Sequence, residues 1–280
     1  MDKYAYVTVL YGNNIYLTGA IVVGYSLMKT GTKFPRIILV TPDVSDEYKT
    51  YLNLVFTQVI DIDYVVVDST IFAEDTTRFR DVFTKLECLS LIQYNKIILL
   101  DLDMLITQNI DHLFKLSPPA ACLKRYNYSY GKIIPADMMC KNGKLIGSIN
   151  AGLMLFKPDK KELSTIKEDI NCKQIHSFKY PEQDYLSLRY CGKWTSITFN
   201  YNYQFGLTHR TKKMHYTIND IYVIHYSSSY KPWNNLIKDR TISEDESKFQ
   251  SEHHKYYQLW INAYNLIKKE FSKNGVILPY

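Results

Sequence analysis

The first hundred residues alternate between two patterns. Lys3 to Leu10 alternates small and apolar residues and reads as a strand. A helical stretch follows to about Met28, capped by Asn13 and Asn14, burying Ile21, Val22 and Tyr25 and stopped by Gly31. Ile37 to Val40 is an unbroken apolar run, as expected of a strand covered on both faces, and Pro42 breaks it. Ser45 opens a short helix with Glu47 in its first turn, ending near Asn53. Val59 to Val67 reads as a third strand, Phe83 to Ile92 as a short helix, and Ile97 to Leu100 as a fourth, fully apolar strand. Strands and helices alternating at this spacing predict an α/β fold with a mostly parallel, Rossmann-like sheet flanked by helices. Beyond residue 120 the pattern loosens. Ala120 to Arg125, Gly152 to Phe156 and Ile221 to Tyr226 read as strands. Asp159 to Ile170, Glu182 to Arg189 and His253 to Lys268 read as helices. The expectation is one domain over 1–280: a regularly alternating half at 1–105, a mixed half at 106–235 and a helical extension at 236–280.

Composition narrows the class. Of 280 residues, 46% are hydrophobic and 22% charged, which is globular rather than disordered composition. The 34 Lys and Arg against 28 Asp and Glu leave +6, a mild balance that invites an anionic partner. The basic residues are scattered, with no contiguous stripe, which argues against nucleic acid. The five cysteines form no C-x-x-C pair, so neither a zinc site nor a disulfide framework is expected. With no signal-like apolar start and no run near 18 apolar residues, the expectation is a cytoplasmic protein without a membrane span.

Ligands of open α/β sheets sit beyond the carboxyl ends of the parallel strands, so polar residues that end apolar strands are where chemistry is sought. Asp101-Leu102-Asp103 follows the fourth strand directly. Two carboxylates one residue apart suit a divalent cation such as Mg²⁺, Mn²⁺ or Ca²⁺. Asp61-Ile62-Asp63 has the same spacing but lies within a strand, and reads as a solvated face. His225 also ends an apolar strand. The Ser-rich turn behind it leads to Lys231, Pro232 and Trp233, a setting in which backbone amides and an ammonium could meet a phosphate. Asn150-Ala151-Gly152 reads as a turn before a strand, with Asn150 free for sugar hydroxyls.

Taken in order, these pieces resemble the family 8 glycosyltransferases, and within them the glycogenins. The resemblance runs from about Ala5 to Trp233. It is carried by Ala5-Tyr-Val-Thr-Val-Leu-Tyr-Gly-Asn13 with Tyr16 and Gly19-Ala20, by Thr84-Lys85-Leu86, by Asp101-Leu102-Asp103, by Asn150-Ala151-Gly152, and by His225, Lys231, Pro232 and Trp233. It implies a GT-A fold, a UDP-sugar donor, retention of anomeric configuration, and Mn²⁺ with Mg²⁺ as the alternative. It assigns Asp101, Asp103 and His225 to the metal, and Lys85 and Lys231 to the diphosphate or donor sugar. Val9, Tyr11, Asn13 and Tyr16 would line the uridine site, with Asp101 and Leu102 at the ribose. Asn150, Ala151, Gly152 and Gln183 would meet the sugar. The chain departs in two places. Ser228 stands where the family has Gly, and Pro181-Glu182-Gln183-Asp184 replaces Gly-Gly-Asp-Gln, leaving Glu182 and Asp184 both as the catalytic carboxylate. Arg80 is carried over as a donor contact, with Arg78 as its rival. The implied reaction moves a hexose, most readily glucose, to a protein or glycan hydroxyl. The acceptor could be one of the chain's own 25 tyrosines, and a homodimer is expected by analogy.

Overall fold

A computed structural model describes residues 3–67, 81–171, 180–205 and 216–280. Its centre is a seven-stranded sheet. In chain order the strands are β1 (Tyr4–Leu10), β2 (Arg36–Val40), β3 (Gln58–Asp61), β4 (Lys96–Leu100), β6 (Ala120–Leu123), β9 (Ile149–Phe156) and β10 (Thr195–Ser196). Their spatial order is β10-β6-β9-β4-β1-β2-β3. The pairs β1–β2, β2–β3, β1–β4 and β6–β10 are parallel, and β9 runs antiparallel to both β4 and β6. The sheet is therefore mostly parallel with one reversed strand, as the alternating pattern predicts. Strand order departs from β1 in both directions, to β2 on one side and β4 on the other. That makes the gap between the carboxyl ends of β1 and β4 the switch point where a ligand has room.

Period-2 alternation distributes β1 between two apolar layers. Ala5, Val7 and Val9 face a core with Phe83, Leu86, Ile166 and Trp194. Tyr6 and Leu10 point to the opposite face, where α1 (Tyr16–Lys29) lies. Every residue of α1 from Leu17 to Leu27 is buried, on all sides rather than one. The reason is that α1 is covered beyond the sheet as well. It packs against a two-stranded antiparallel ribbon, β5 (Met104–Ile106) with β11 (Val223–His225), and against the C-terminal helix α6 (His254–Lys273). Helices α2 (Asp46–Leu52), α3 (Lys160–Asn171), α4 (Pro181–Arg189) and α5 (Glu244–Glu252), and a small ribbon of β7 (Cys140–Lys141) and β8 (Lys144–Leu145), complete the named elements used below.

Several expectations are corrected. The third strand stops at Asp61, where its pairing to β2 ends. Beyond it Val65 and Val67 turn inward while Val66 is 61% exposed. Asp61 does lie at the surface, paired with Lys49 at 2.7 Å. The short helix expected from Phe83 to Ile92 is present, as a 3₁₀ helix over Val82–Ser90. Asn150-Ala151-Gly152 is not a turn: it lies inside β9, which starts at Ile149 and is buried throughout. Asn13 does not cap α1; its Oδ1 accepts from the Ser45 N–H, which leaves Asn14 Oδ1 to accept from the Tyr16 N–H.

Gly19 fixes the height at which α1 sits. A Cβ there would lie 2.6 Å from the Leu102 carbonyl oxygen and 2.8 Å from the Trp233 ring. The helix thus touches the backbone of the D-x-D segment and the fully buried Trp233 at one point. Alanine gains about 1 kcal/mol over glycine in an open helix. Overpacking costs about 1–3 kcal/mol, and here one obstacle is backbone that cannot rotate away. Gly19→Ala is therefore expected to lower the denaturant midpoint; an unchanged or raised midpoint would show that the α1–Leu102 contact is slack.

Candidate active site

The chain turns through Asp101-Leu102-Asp103 between β4 and β5, at the switch-point edge of the sheet. The antiparallel register of β5 with β11 sets Met104 opposite His225, which brings Asp103 beside the imidazole. Asp103 Oδ1 lies 3.2 Å from His225 Nε2, and Asp103 Oδ2 accepts a 2.5 Å bond from Lys231 Nζ. The loop after β11 is folded back to make this contact. The Tyr226 N–H donates to the Asp103 carbonyl at 2.8 Å, and Lys231 Nζ donates to the Tyr226 carbonyl at 2.8 Å. Burial alone would raise the Asp103 carboxyl; Lys231 and His225 outweigh it and hold it well below the usual carboxylate range.

Asp101 is held from the other side. Its N–H donates to the Gly152 carbonyl at 2.9 Å, and its Oδ1 accepts from Lys85 Nζ at 2.7 Å. Lys85 is buried and also reaches the Ala151 carbonyl at 3.3 Å and Glu182 Oε1 at 3.3 Å. Burial would discharge Lys85, but Asp101 and Glu182 outweigh it and raise its pKa. Burial pushes Glu182 up to about 7, against the pull of Lys85. Gln183 Nε2 is buried without a hydrogen-bond partner, and Glu182 Oε1 has only the 3.3 Å ion pair with Lys85. Orphaned buried polar atoms call for an unseen partner, and both residues line the same cleft.

That cleft has two lobes. One, of about 810 Å³, is lined by Asn150, Ala151, Gly152, Glu182, Gln183, His225 and Ser228, among others. The second, of about 360 Å³, is lined by Val9, Tyr11, Asn14, Leu102 and their neighbours. Tyr16, Lys85, Asp101 and Asp103 line both, so the charged cluster sits at the junction. Lobes of these sizes suit parts of a small-molecule ligand. The described residues bring together almost all the sequence-predicted positions, with three exceptions. Asn13 lines neither lobe. Asp184 lines neither, and its Oδ2 accepts from the Tyr180 N–H at the start of α4. Arg80, like its rival Arg78, lies outside the described residues. Lys124, Tyr180 and Gln204 also line the larger lobe and carry no motif that could have found them.

Asp101, Asp103 and His225 offer ligand atoms that all lie within 4.8 Å of one another. Two carboxylates and an imidazole form a donor set for a divalent metal ion. The hydrogen bonding around His225 fits that role. Its Nδ1 is 2.7 Å from Asn202 Oδ1, which leaves Nε2 as the atom facing Asp103. Gly152 allows this packing, because a Cβ there would lie 2.4 Å from His225 Cε1. The close approach that this glycine permits is therefore that of the imidazole.

Residues 7–236 match the description of glycosyl transferase family 8, and the chain belongs to that family. It is 67% identical over its whole length to protein R707 of Acanthamoeba polyphaga mimivirus, covering all of that protein. It is 24% identical to galactinol synthase 1 of Solanum lycopersicum, over 93% of this chain and 81% of that one. The solved galactosyltransferase LgtC, in complex with donor and acceptor sugar analogues, superposes with a TM-score of 0.58 at 16% identity, over 93% of this chain and 95% of that one. The fold is the GT-A glycosyltransferase fold, and the family chemistry is glycosyl transfer.

Glu182 provides a pH test of the site. Its carboxyl ionises near 4.5 when unfolded and near 7 when folded. The folded state therefore holds the extra proton, and the stability this contributes is lost as pH rises through that window. Relative to Glu182→Gln, the native protein should lose unfolding free energy between pH 4.5 and about 7 and change little beyond. Parallel stability curves for the two proteins would contradict this placement of Glu182.

Proposed function

We propose that this chain is a retaining, metal-dependent hexosyltransferase that uses a UDP-sugar. The observation that carries the reading is the junction of the two lobes, where Asp101, Asp103 and His225 converge beside two lysines. In this reading the uridine occupies the lobe of Val9, Tyr11, Tyr16 and Leu102. The diphosphate lies at the junction, and the hexose lies against Asn150, Gly152 and Gln183. The unpartnered Gln183 Nε2 supplies a donor for a hexose hydroxyl, and the Glu182 carboxyl beside it can accept one while paired with Lys85.

The chemistry follows from charge. As the bond from the anomeric carbon to the diphosphate breaks, negative charge develops on the leaving oxygens. A bound divalent ion would act there as a Lewis acid. Lys231, bonded to Asp103, and Lys85, bonded to Asp101, are fixed cations at the same place and cost no reorganisation when the charge appears. Attack by the acceptor hydroxyl on the same face as the departing diphosphate retains configuration without an enzyme nucleophile. Asp184 is drawn away by its backbone contact at Tyr180, and Glu182 is buried against Lys85. Between them we favour Glu182, which lines the larger lobe as Asp184 does not, for a double displacement, should a covalent glycosyl-enzyme be trapped. Mn²⁺ is favoured over Mg²⁺ by the imidazole ligand.

The glycogenin resemblance favours glucose as the donor sugar. A second reading, galactose, is favoured by the names of the galactinol synthase relative and of the galactosyltransferase LgtC. A protein or glycan hydroxyl as acceptor, self-glycosylation, a homodimer and a cytoplasmic setting complete the proposal. Among the described residues no helix is long and apolar enough to cross a membrane.

Incubation with UDP-glucose or UDP-galactose and Mn²⁺, followed by assay of released UDP and intact mass, tests the reading. The expected result is metal-dependent UDP release with one sugar preferred. A mass increase of one hexose would mark the chain as its own acceptor. Asp103→Ala should lower turnover about 100-fold or more while the fold persists, as loss of a buried electrostatic group at a reacting centre does. UDP binding without turnover would instead make this a silent nucleotide-sugar binder.

A further inference from the structure

His225 meets its surroundings through a chain of three amide groups whose orientations are fixed by one backbone donor. The Gly152 N–H can only donate, and it donates to a side-chain atom of Asn150 at 3.0 Å. That atom is therefore the oxygen Oδ1. The same oxygen is 2.7 Å from the Asn202 side chain, so Asn202 presents its Nδ2 there. Its other atom, Oδ1, must then face His225 Nδ1, 2.7 Å away. An oxygen that can only accept requires a proton on Nδ1. With Nδ1 holding its proton, Nε2 is the nitrogen left to change partners: it donates to Asp103 Oδ1, 3.2 Å away, while no cation lies between them, and in the neutral ring it offers its lone pair to a cation that does. Asn202 is 1% exposed, Asn150 8% and His225 4%, so solvent has little access through which to substitute for any link.

We infer that Asn202 is a positioning residue of the metal centre: with Asn150 as its anchor, it locks His225 in the tautomer whose Nε2 can ligate a divalent cation. Without this acceptor, a neutral imidazole is free to carry its proton on Nε2, and a protonated nitrogen cannot ligate. Partners of a metal-bound histidine act in this way, by fixing the tautomer and the ring plane. The assignment also changes the role of Asn150. Its oxygen is committed to Gly152 and Asn202, and only its Nδ2 is left to meet a sugar. The inference rests on the metal reading of Asp101, Asp103 and His225, but not on sugar transfer.

The test uses the whole chain, with Mn²⁺ as the only added ligand. Electron paramagnetic resonance reads the free ion, and ¹⁵N NMR of the metal-free protein reads which nitrogen of His225 is protonated. In the wild type, Nδ1 should carry a proton. In Asn202→Ala, the neutral ring should shift to the Nε2–H form and Mn²⁺ affinity should fall about 10–100-fold. Retention of the Nδ1 proton together with unchanged affinity would overturn the inference. If Asn202→Ala does not fold, Asn150 decides. Asn150→Asp keeps the acceptor for both donors and should keep Mn²⁺ affinity, whereas Asn150→Ala should lose it; equal affinities in the two variants would overturn the inference. Wild-type protein that binds no Mn²⁺ would overturn the inference and the metal reading together. Mn²⁺ binding without sugar transfer would overturn the proposed function alone.

Discussion

Asp103 is gripped from three directions, and the arrangement of the cleft follows from that grip. Its backbone carbonyl takes the Tyr226 N–H, one carboxylate oxygen meets His225 and the other meets Lys231. None of these partners is close in sequence. They arrive because β5 and β11 pair antiparallel with Met104 opposite His225, and because the loop after β11 turns back over the same residue. The ribbon is held in place by α1, whose Gly19 lets the helix seat against Leu102 and Trp233. The site and the packing of the first helix are thus one construction problem.

Electrostatics explains why carboxylates and lysines are so densely interleaved. Asp101 and Asp103 flank one point, and two like charges this close in a partly buried cleft repel one another. Lys85 and Lys231, each ion-paired with one of them, neutralise that charge. A divalent cation entering this point would take over the neutralisation, and the diphosphate that accompanies it would engage the lysines. The residues that hold the cleft together are in this way the ones that would balance charge when the leaving group departs.

Much of the fold was legible in the sequence. The apolar runs Ile37 to Val40 and Ile97 to Leu100 mark strands covered on both faces, and their spacing predicts a mostly parallel sheet. The D-x-D pair could be told from Asp61 and Asp63 because it ends such a run. What escaped depends on contacts distant in the chain. Strand β5 has three residues, too few for periodicity to show, whereas β11 lies within the predicted strand Ile221 to Tyr226. Asn150-Ala151-Gly152 looks like a turn because Asn and Gly usually mark one, yet its backbone is fixed by strand pairing and its glycine serves His225. Glu182 and Asp184 are indistinguishable as letters. On α4 their spacing turns them apart, one towards Lys85 and the other back to the Tyr180 amide. Asn202 gave one faint signal, a polar residue inside the aromatic run Phe199-Asn-Tyr-Asn-Tyr203, and its role needed partners 23 and 52 residues away.

The central claim is that a divalent cation belongs between Asp103 and His225, at the junction of the two lobes. Anomalous scattering from crystals grown with Mn²⁺ and UDP tests it most directly. The account predicts one strong manganese peak bonded to Asp101, Asp103 and His225 Nε2, with the diphosphate on its open side. A peak elsewhere, or UDP bound in the cleft with no metal beside it, would contradict the account.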